Sequence, residues 1–375
     1  MRVAVVAEFY PRAADPVLGI WAHRQAVAAR DAGADVTVFV LHRVVPPSAA
    51  FTPRELRSLI SQPAVEQRDG IEVHYIPYVS GRRAKAYAGW GARAAPRLAR
   101  AVGRAGRFDV IHAHNAVPAG DAVLRAGLGP PLVVSVHGGD VLWTNSRVPG
   151  GEQAVRRTLD AADLVLANSR GIEALAVEHG ARRTRVVHLG TDVPDPASPA
   201  TRPLVATVGH LVGRKRHADV IHAISRIPDV DYLVIGDGPA RRTLEALART
   251  LGVADRVEFA GQLPPAEALR RAREAWLFAM PSTDEAFGVA YIEAMAAGIP
   301  AIGAAGEPGP EEIGPGLVLV APCDPPALAA ELDRLVRDQP ARAGLGAAAR
   351  RNIIENFTWA ACGARTVAAY EDALR

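Results

Sequence analysis

The chain has 375 residues, of which 49% are apolar and 22% are charged, and its formal net charge is +3. This length exceeds what one typical hydrophobic core accommodates, so it predicts two domains. The apolar content excludes a disordered chain, and the small net charge excludes nucleic-acid binding through a global positive field. No apolar run approaches the ~20 residues that a membrane-spanning helix needs.

The first residues, MRVAVVAEFYP, carry a single Arg and a short apolar run without a small-residue cleavage site. They predict a first strand rather than a signal peptide. The two cysteines, Cys323 and Cys362, are far apart in sequence and predict reduced, unpaired thiols. Together these features predict a cytoplasmic location.

The first strand, at 2–7, leads into a proline-containing loop that runs to Gly19, a helix at about 21–32 and a second strand at 35–41. No Gly-x-Gly-x-x-Gly turn follows the first strand, which disfavours a Rossmann dehydrogenase. A further strand is predicted at 71–79.

The next stretch, 82–107, contains eight Arg or Lys residues and no Asp or Glu. We expect Pro96 in the first turn of a helix, because proline is tolerated there. Four arginines then recur every three or four residues on one face, namely Arg97, Arg100, Arg104 and Arg107. This face is either an ordinary solvated surface or one that attracts anionic lipid or a diphosphate-linked acceptor.

Three histidines lie at the carboxyl ends of two predicted strands, 108–114 and 131–136. His112 and His114 share one strand face, and His137 ends a strand that could be adjacent. Three imidazoles could bind zinc, but no unambiguous fourth ligand is apparent, so we do not predict a metal site.

A proline-rich segment at 192–203 predicts a domain boundary. We expect an N-terminal domain at 1–197, a C-terminal domain at 198–357 and a last helix at 358–375 that crosses back to the first domain. The second domain opens with a strand and a turn that carries Arg214 and Lys215. Two cations in a short strand-to-helix turn suit a diphosphate.

The most informative stretch is 276–300, WLFAMPSTDEAFGVAYIEAMAAGIP. It predicts a buried strand, a loop that contains Glu285, and a helix that opens near Phe287 and Gly288. The free N–H groups at Phe287, Gly288 and Val289 favour an anion at the helix N-terminus. Glu285 and Glu293 flank this position, and carboxylates can accept hydrogen bonds from sugar hydroxyls.

Glu285, Glu293, the Phe287-Gly288 pair and the run EAMAAGIP at 293–300 resemble the signature of the family-4 retaining glycosyltransferases. The resemblance is strongest at 205–303. It implies the α/β GT-B fold, two doubly wound Rossmann-like domains that face a cleft. It also implies transfer of a hexose-type sugar from a nucleoside diphosphate, UDP more than GDP, to an acceptor hydroxyl. The sugar donor is a co-substrate, and no cofactor or metal is implied.

The resemblance also assigns roles. Glu293 would hold the ribose, and Glu285 and His137 would contact the sugar ring. The departing diphosphate would be bound by the side chains of Arg214 and Lys215 and by the backbone N–H groups of Gly288 and Val289. Phe287 would lie beside these donor-binding groups.

The resemblance also implies that two glycines let a ligand come close to the backbone. At Gly19 the ligand would be the donor's phosphates or the acceptor, and at Gly261 it would be the nucleotide base. The chain departs from the family at His210, where an Arg is usual.

Three alternatives stay open: a sugar-nucleotide epimerase of the same fold, a catalytically silent nucleotide-binding homologue marked by His210, and a membrane-bound scaffold that uses the basic helix.

Overall fold

The computed structural model describes residues 1–44 and 62–375. They form two compact units. Unit 1 comprises Met1–Leu189 together with Trp359–Arg375, and unit 2 comprises Gly190–Thr358. Within these described ranges, no helix is both long enough and apolar enough to cross a lipid bilayer.

Unit 1 is built on an eight-stranded sheet with the order β3-β4-β2-β1-β5-β6-β7-β8. All neighbouring strands are parallel except the β3–β4 pair. Its central strands are continuous apolar runs because helices cover both faces of the sheet. The strands are β1 (Arg2–Ala7), β2 (Asp35–Val44), β3 (Val65–Arg68), β4 (Ile71–Val79), β5 (Val110–His114), β6 (Leu132–Val136), β7 (Leu164–Ala167) and β8 (Thr184–Val186).

Unit 2 has a six-stranded sheet, parallel throughout, with the order β11-β10-β9-β12-β13-β14. This is the doubly wound order, in which the chain starts at a central strand and reverses direction across the sheet once. The strands are β9 (Leu204–Val208), β10 (Asp231–Ile235), β11 (Val257–Gly261), β12 (Leu277–Ala279), β13 (Ala301–Ala304) and β14 (Leu317–Val320).

Helices of six or more residues in the described ranges connect these strands. They are α1 (Ile20–Asp31), α2 (Trp90–Ala105), α3 (Asp121–Ala126), α4 (Gly151–Ala161), α5 (Arg170–Glu178), α6 (His217–Ile224), α7 (Arg241–Thr250), α8 (Pro265–Ala272), α9 (Val289–Ala296), α10 (Pro325–Arg337), α11 (Gln339–Asn356) and α12 (Trp359–Ala373).

The C-terminal helix α12 packs against α1 in unit 1. A Cβ added at Gly363 would lie 2.1 Å from the carbonyl oxygen of Ala28, so the two helix backbones approach as closely as a glycine allows. The Gln25 amide donates to the Thr366 hydroxyl at 3.1 Å between the helices. The last helix therefore completes the hydrophobic core of unit 1, in which Tyr370 is fully buried.

The basic helix α2 differs from its prediction at both ends. It begins at Trp90, so Pro96 lies in the helix interior and the predicted first-turn position is wrong. The earlier start is anchored by the buried Trp90 indole, whose N–H donates to the Gly81 carbonyl at 3.1 Å. The helix ends at Ala105, so Arg107 lies beyond it and does not extend its arginine face.

Candidate active site

The loops that carry the predicted cations and acids of unit 2 follow two adjacent strands. β9 precedes the turn that contains Arg214 and Lys215, and its neighbour β12 precedes the loop that contains Glu285. The chain runs to opposite halves of the sheet after these two strands, and ligands bind doubly wound folds at this switch point, outside the carboxyl ends of the strands. The Thr283 N–H donates to the Arg214 carbonyl at 2.8 Å, which ties the two loops together.

Lys215 and Glu285 form an ion pair at this switch point. The Lys215 ammonium Nζ lies 2.5 Å from Glu285 Oε2, and the two side chains are only 12% and 8% exposed. The Glu285 carbonyl accepts the Gly309 N–H at 2.9 Å, which fixes the backbone behind the carboxylate. The structure thus brings together the cation and the acid that the sequence predicted as parts of one site.

Glu307 is a third member of this group that sequence reasoning missed. Its carboxylate Oε2 accepts the Glu285 backbone N–H at 2.8 Å. Burial raises the pKa of Glu307, and the charges of Asp284 and Glu285 raise it further, against hydrogen bonds from the backbone. Glu307 follows β13, the neighbour of β12, and the apolar residues 301–304 just before it were the available signal.

The helix α9 starts beside this pair. Gly288 is its N-cap, with φ +87°, and a Cβ there would lie 2.4 Å from the Tyr291 ring. The position therefore requires glycine for both conformation and space. Val289 is partly exposed, and the first N–H groups of a helix have no intrahelical partner. Phe287 is 2% exposed and packs against Phe357, so its side chain contributes to the core of unit 2.

Glu293 lies on α9, about one turn after its start. It is half-buried and lines a small cavity with Val208, the last residue of β9, and with Arg273, which directly follows α8. Burial raises the pKa of Glu293 to about 7, with a further contribution from the negative charge of Asp192. Glu293 therefore exchanges a proton near neutral pH, close to the strand end from which the Lys215 turn departs.

His210 and Gly261 occupy the neighbouring strand ends. His210 is exposed, and its Nδ1–H donates to the Asp237 carbonyl at 2.6 Å, so the imidazole is held by the turn after β10. Gly261 ends the outermost strand β11 with φ +75°, and its carbonyl accepts the Gly236 N–H at 2.8 Å. Both residues lie on the carboxyl edge of the unit 2 sheet.

Gly19 has a packing role in unit 1. It is the buried N-cap of α1, with φ +63°, and a Cβ would lie 2.2 Å from the backbone carbon of Phe9. The space beside its Cα is occupied by the Phe9–Tyr10 backbone. The glycine is therefore required by the close approach of two chain segments, and its contact with a ligand stays a prediction.

His137 directly follows β6 in unit 1. Its Nε2 lies 2.9 Å from Nδ1 of His114, and the Trp21 ring of α1 meets its imidazole edge-on at 6.2 Å between centroids. Burial lowers the pKa of His137 to about 4, so its imidazole is neutral at neutral pH. Outside 45–61, which the structure does not describe, no three or more His, Cys, Asp or Glu side chains are grouped to hold a metal ion.

Two family models match the chain. The one described as "Glycosyltransferase Family 4" matches residues 18–194, and the one described as "Glycosyl transferases group 1" matches residues 191–352.

Curated relatives with similar sequences are named as glycosyltransferases. A GDP-mannose-dependent alpha-(1-6)-phosphatidylinositol monomannoside mannosyltransferase of Mycolicibacterium smegmatis is 31% identical over 274 residues, which cover 66% of this chain and 71% of the relative. A D-inositol 3-phosphate glycosyltransferase of Corynebacterium diphtheriae is 31% identical over 306 residues, which cover 71% of each chain.

Solved structures share the fold. Sucrose-phosphate synthase of Thermosynechococcus elongatus superposes with a TM-score of 0.80 at 23% identity, covering 99% of this chain and 98% of that one. The HepE protein of Anabaena, in complex with UDP and glucose, superposes with a TM-score of 0.73 at 20% identity and 98% coverage of both. The predicted fold class, two Rossmann-like α/β domains of the GT-B kind, is confirmed.

The pKa of Glu293 predicts a pH-dependent stability. An acid whose pKa is higher in the folded than in the unfolded chain stabilises the fold fully below its unfolded pKa, and this contribution is lost as pH rises through the folded value. Glu293→Gln should therefore gain melting temperature over the wild type progressively from about pH 4.5 to 7 and keep that gain above pH 7. Thermal unfolding across pH 4–8.5 measures the difference.

The matched control is Glu355→Gln, which alters an exposed glutamate on α11. Its melting temperature should follow that of the wild type at every pH. A Glu293→Gln difference that does not change with pH would contradict the raised pKa.

Proposed function

The chain belongs to glycosyltransferase family 4, and on this premise we propose that it is a retaining, metal-independent enzyme that transfers mannose from GDP-mannose to the hydroxyl of an anionic acceptor. The observation that carries the proposal is the buried Lys215–Glu285 pair at the switch point of unit 2. It combines a cation for a departing diphosphate with a carboxylate for sugar hydroxyls.

The negative charge that grows in the transition state is that of the leaving diphosphate, so groups aimed at it lower the barrier. Lys215 supplies an ammonium, Arg214 a guanidinium, and the start of α9 free N–H groups at Gly288 and Val289. These groups supply the positive charge that a divalent cation would otherwise provide. Binding of the diphosphate would draw Lys215 from Glu285 and leave that carboxylate free to accept hydrogen bonds from the sugar.

Retention follows from attack on the face that the diphosphate leaves. The bond from the anomeric carbon to the diphosphate oxygen breaks while the bond to the acceptor oxygen forms on the same side. The acceptor's hydroxyl proton moves to the departing diphosphate oxygen, so no protein nucleophile takes part. Glu293 would accept hydrogen bonds from the ribose hydroxyls, and a carboxylate does so best when it is ionised.

The name of the Mycolicibacterium smegmatis relative favours GDP-mannose, whereas the family resemblance of the sequence implies a UDP-sugar more than GDP-mannose. Thermal-shift measurements with GDP, GDP-mannose, UDP and UDP-glucose distinguish the two. A ligand at 100-fold its dissociation constant stabilises by ~2.7 kcal/mol, so we expect the larger shifts from GDP and GDP-mannose.

Larger shifts from UDP and UDP-glucose would assign a UDP-sugar as the donor and would not contradict the proposed transferase activity. The absence of any shift would contradict the whole proposal. Turnover of a sugar donor without an acceptor, with inversion at a ring carbon, would indicate an epimerase. Activity that persists in EDTA is expected, since the chain's own cations bind the diphosphate.

The acceptor side is proposed from the charge of unit 1. The α2 face exposes Arg97, Arg100 and Arg104, with Arg107 just beyond the helix, and no acid lies within 82–107. Nearby, a surface depression of about 640 Å³ is lined by Lys85 and Arg93. We therefore propose a phosphate-bearing lipid acceptor, reached by peripheral contact of this face with an anionic membrane.

The buried Lys215–Glu285 pair predicts that substitution of either residue lowers activity. Lys215→Gln and Glu285→Gln should each lower kcat for transfer by roughly 10²–10³-fold, the effect of removing one preorganised charge-stabilising group. The double variant should cost much less than the product of the two effects, since the partners act as a unit. Initial rates with GDP-mannose and a lipid acceptor measure this.

Arg334→Gln serves as the control. It breaks an exposed ion pair of unit 2, Arg334 with Glu331 at 2.6 Å, and should leave kcat unchanged. If Glu285→Gln folds normally and keeps wild-type kcat, the site assignment is wrong.

The arginine face predicts salt-sensitive membrane binding. Replacing Arg97, Arg100 and Arg104 by Gln should weaken sedimentation with phosphatidylserine-containing vesicles by about 1 kcal/mol per charge removed. The control replaces three exposed arginines of unit 2, Arg226, Arg242 and Arg249, with the same change in net charge. Equal binding by both triple variants, or no binding by the wild type, would rule out this membrane contact.

A further inference from the structure

Three histidine side chains form a row on one face of the unit 1 sheet. His112 and His114 are two residues apart on β5, and His114 pairs in register with Ser135 of the parallel strand β6. His137 is two residues beyond Ser135, so it projects to the same face. The ring centroids are 4.5 Å apart for His112 and His114, and 5.2 Å apart for His114 and His137.

The His114 and His137 rings meet edge to edge. Nδ1 of His114 lies 2.9 Å from Nε2 of His137, and the ring planes are within 3° of parallel. The 5.2 Å between centroids equals this contact plus one ring radius on each side, so the two nitrogens and both ring centres are nearly collinear. The N–H of one ring therefore points along the lone pair of the other, which is the favoured geometry of a strong hydrogen bond.

Both imidazoles are neutral, because burial holds the pKa of each below its usual value. A neutral imidazole has one N–H and one lone pair, so one ring donates and the other accepts. The direction of this single bond fixes which nitrogen of each ring carries the proton.

The remaining two nitrogens indicate the direction. Nε2 of His114 and Nδ1 of His137 are both buried without a hydrogen-bond partner. An unpaired N–H is costlier to bury than an unpaired lone pair is, and His114 is only 2% exposed whereas His137 is partly exposed. The less costly arrangement leaves the lone pair on His114 and the unpaired N–H on His137.

We propose that His114 is a positioning residue for His137: its Nδ1–H holds His137 Nε2 as an acceptor and so keeps the proton of His137 on Nδ1. That N–H is then the one hydrogen-bond donor of His137; it is buried in the free protein, so the sugar oxygen that accepts it must displace the side chains that cover it. The proposal rests on the proposed function only in naming the sugar as the ligand. The tautomer itself is a property of the free protein.

His112 takes no part in the His114–His137 hydrogen bond. Its Nδ1 lies 2.8 Å from the Tyr370 hydroxyl of α12, and its Nε2 lies 2.7 Å from the Ser135 hydroxyl. Removing the Tyr370 hydroxyl therefore changes the hydrogen bonding of the row while leaving the His114–His137 bond in place. Tyr370→Phe is thus a matched control for changes at His114.

The first measurement is the tautomer of each ring in the wild-type protein. Imidazole ¹⁵N NMR of histidine-labelled protein, assigned with His114→Asn and His137→Asn, separates protonated from unprotonated nitrogens. We expect both His114 and His137 to carry the proton on Nδ1 between pH 6 and 8. A proton on Nε2 of either ring would overturn the proposal, whatever the activity.

The second measurement compares two substitutions that differ in donor capacity. The amide N–H of His114→Asn can replace the Nδ1 donor, whereas the carboxylate of His114→Asp accepts only and would draw the proton of His137 to Nε2. We expect His114→Asn and Tyr370→Phe to retain most of the wild-type kcat. His114→Asp should lose at least about tenfold in kcat, with little change in KM.

Equal activity of the Asn and Asp variants, with both folded, would contradict a donor role for His114. Loss of folding in His114→Asp leaves the wild-type tautomer measurement to decide. If both rings carry the proton on Nδ1 but the protein transfers no sugar, the proposed function fails and the assignment of the tautomer stands.

Discussion

The structure of unit 2 depends on a buried ion pair that joins residues 70 positions apart in the chain. Removing Lys215 and Glu285 from water costs several kcal/mol per ion, and their attraction offsets this only in good geometry with further hydrogen bonds. The Thr283–Arg214 backbone bond and the Glu307 and Gly309 contacts behind Glu285 provide that geometry. A hydrophobic pair would fill this space at lower cost, so the charges are best explained by an anionic ligand that exchanges with one of them.

The same topology occurs in both units, but the charges at the strand ends differ. In each sheet, parallel strands deliver loops to one edge, and two adjacent strands lead to opposite halves of the sheet. In unit 2 these loops carry cations and acids. In unit 1 the strand ends carry neutral histidines and the buried Glu8, whose pKa is raised chiefly by burial and whose carboxylate accepts the Tyr87 hydroxyl at 2.8 Å.

Two acids of unit 2, Glu293 on α9 and Glu307 beside Glu285, have raised pKa values. Burial is the main cause for both, so they hold protons more readily than exposed glutamates do. For Glu307 this limits the repulsion from the charges of Asp284 and Glu285. The diphosphate of the proposed function would add further negative charge, which the cations of the β9 turn would offset. His210, whose Nδ1–H donates to the Asp237 carbonyl, lies at the same sheet edge as these cations.

The sequence by itself determined the local features of this protein. Continuous apolar runs indicated buried parallel strands, the glycines and prolines indicated where helices stop, and the family motif that contains Glu285 and Glu293 predicted the helix that bears the candidate site. These features depend on residues within one or two turns of each other. Tertiary structure alone decided the pairing of Lys215 with Glu285, the recruitment of Glu307, the contact that fills the space beside Gly19, and the bond from His114 to His137. These contacts depend on strand order and register, which hydrophobic periodicity leaves open because every buried strand of a parallel sheet reads alike.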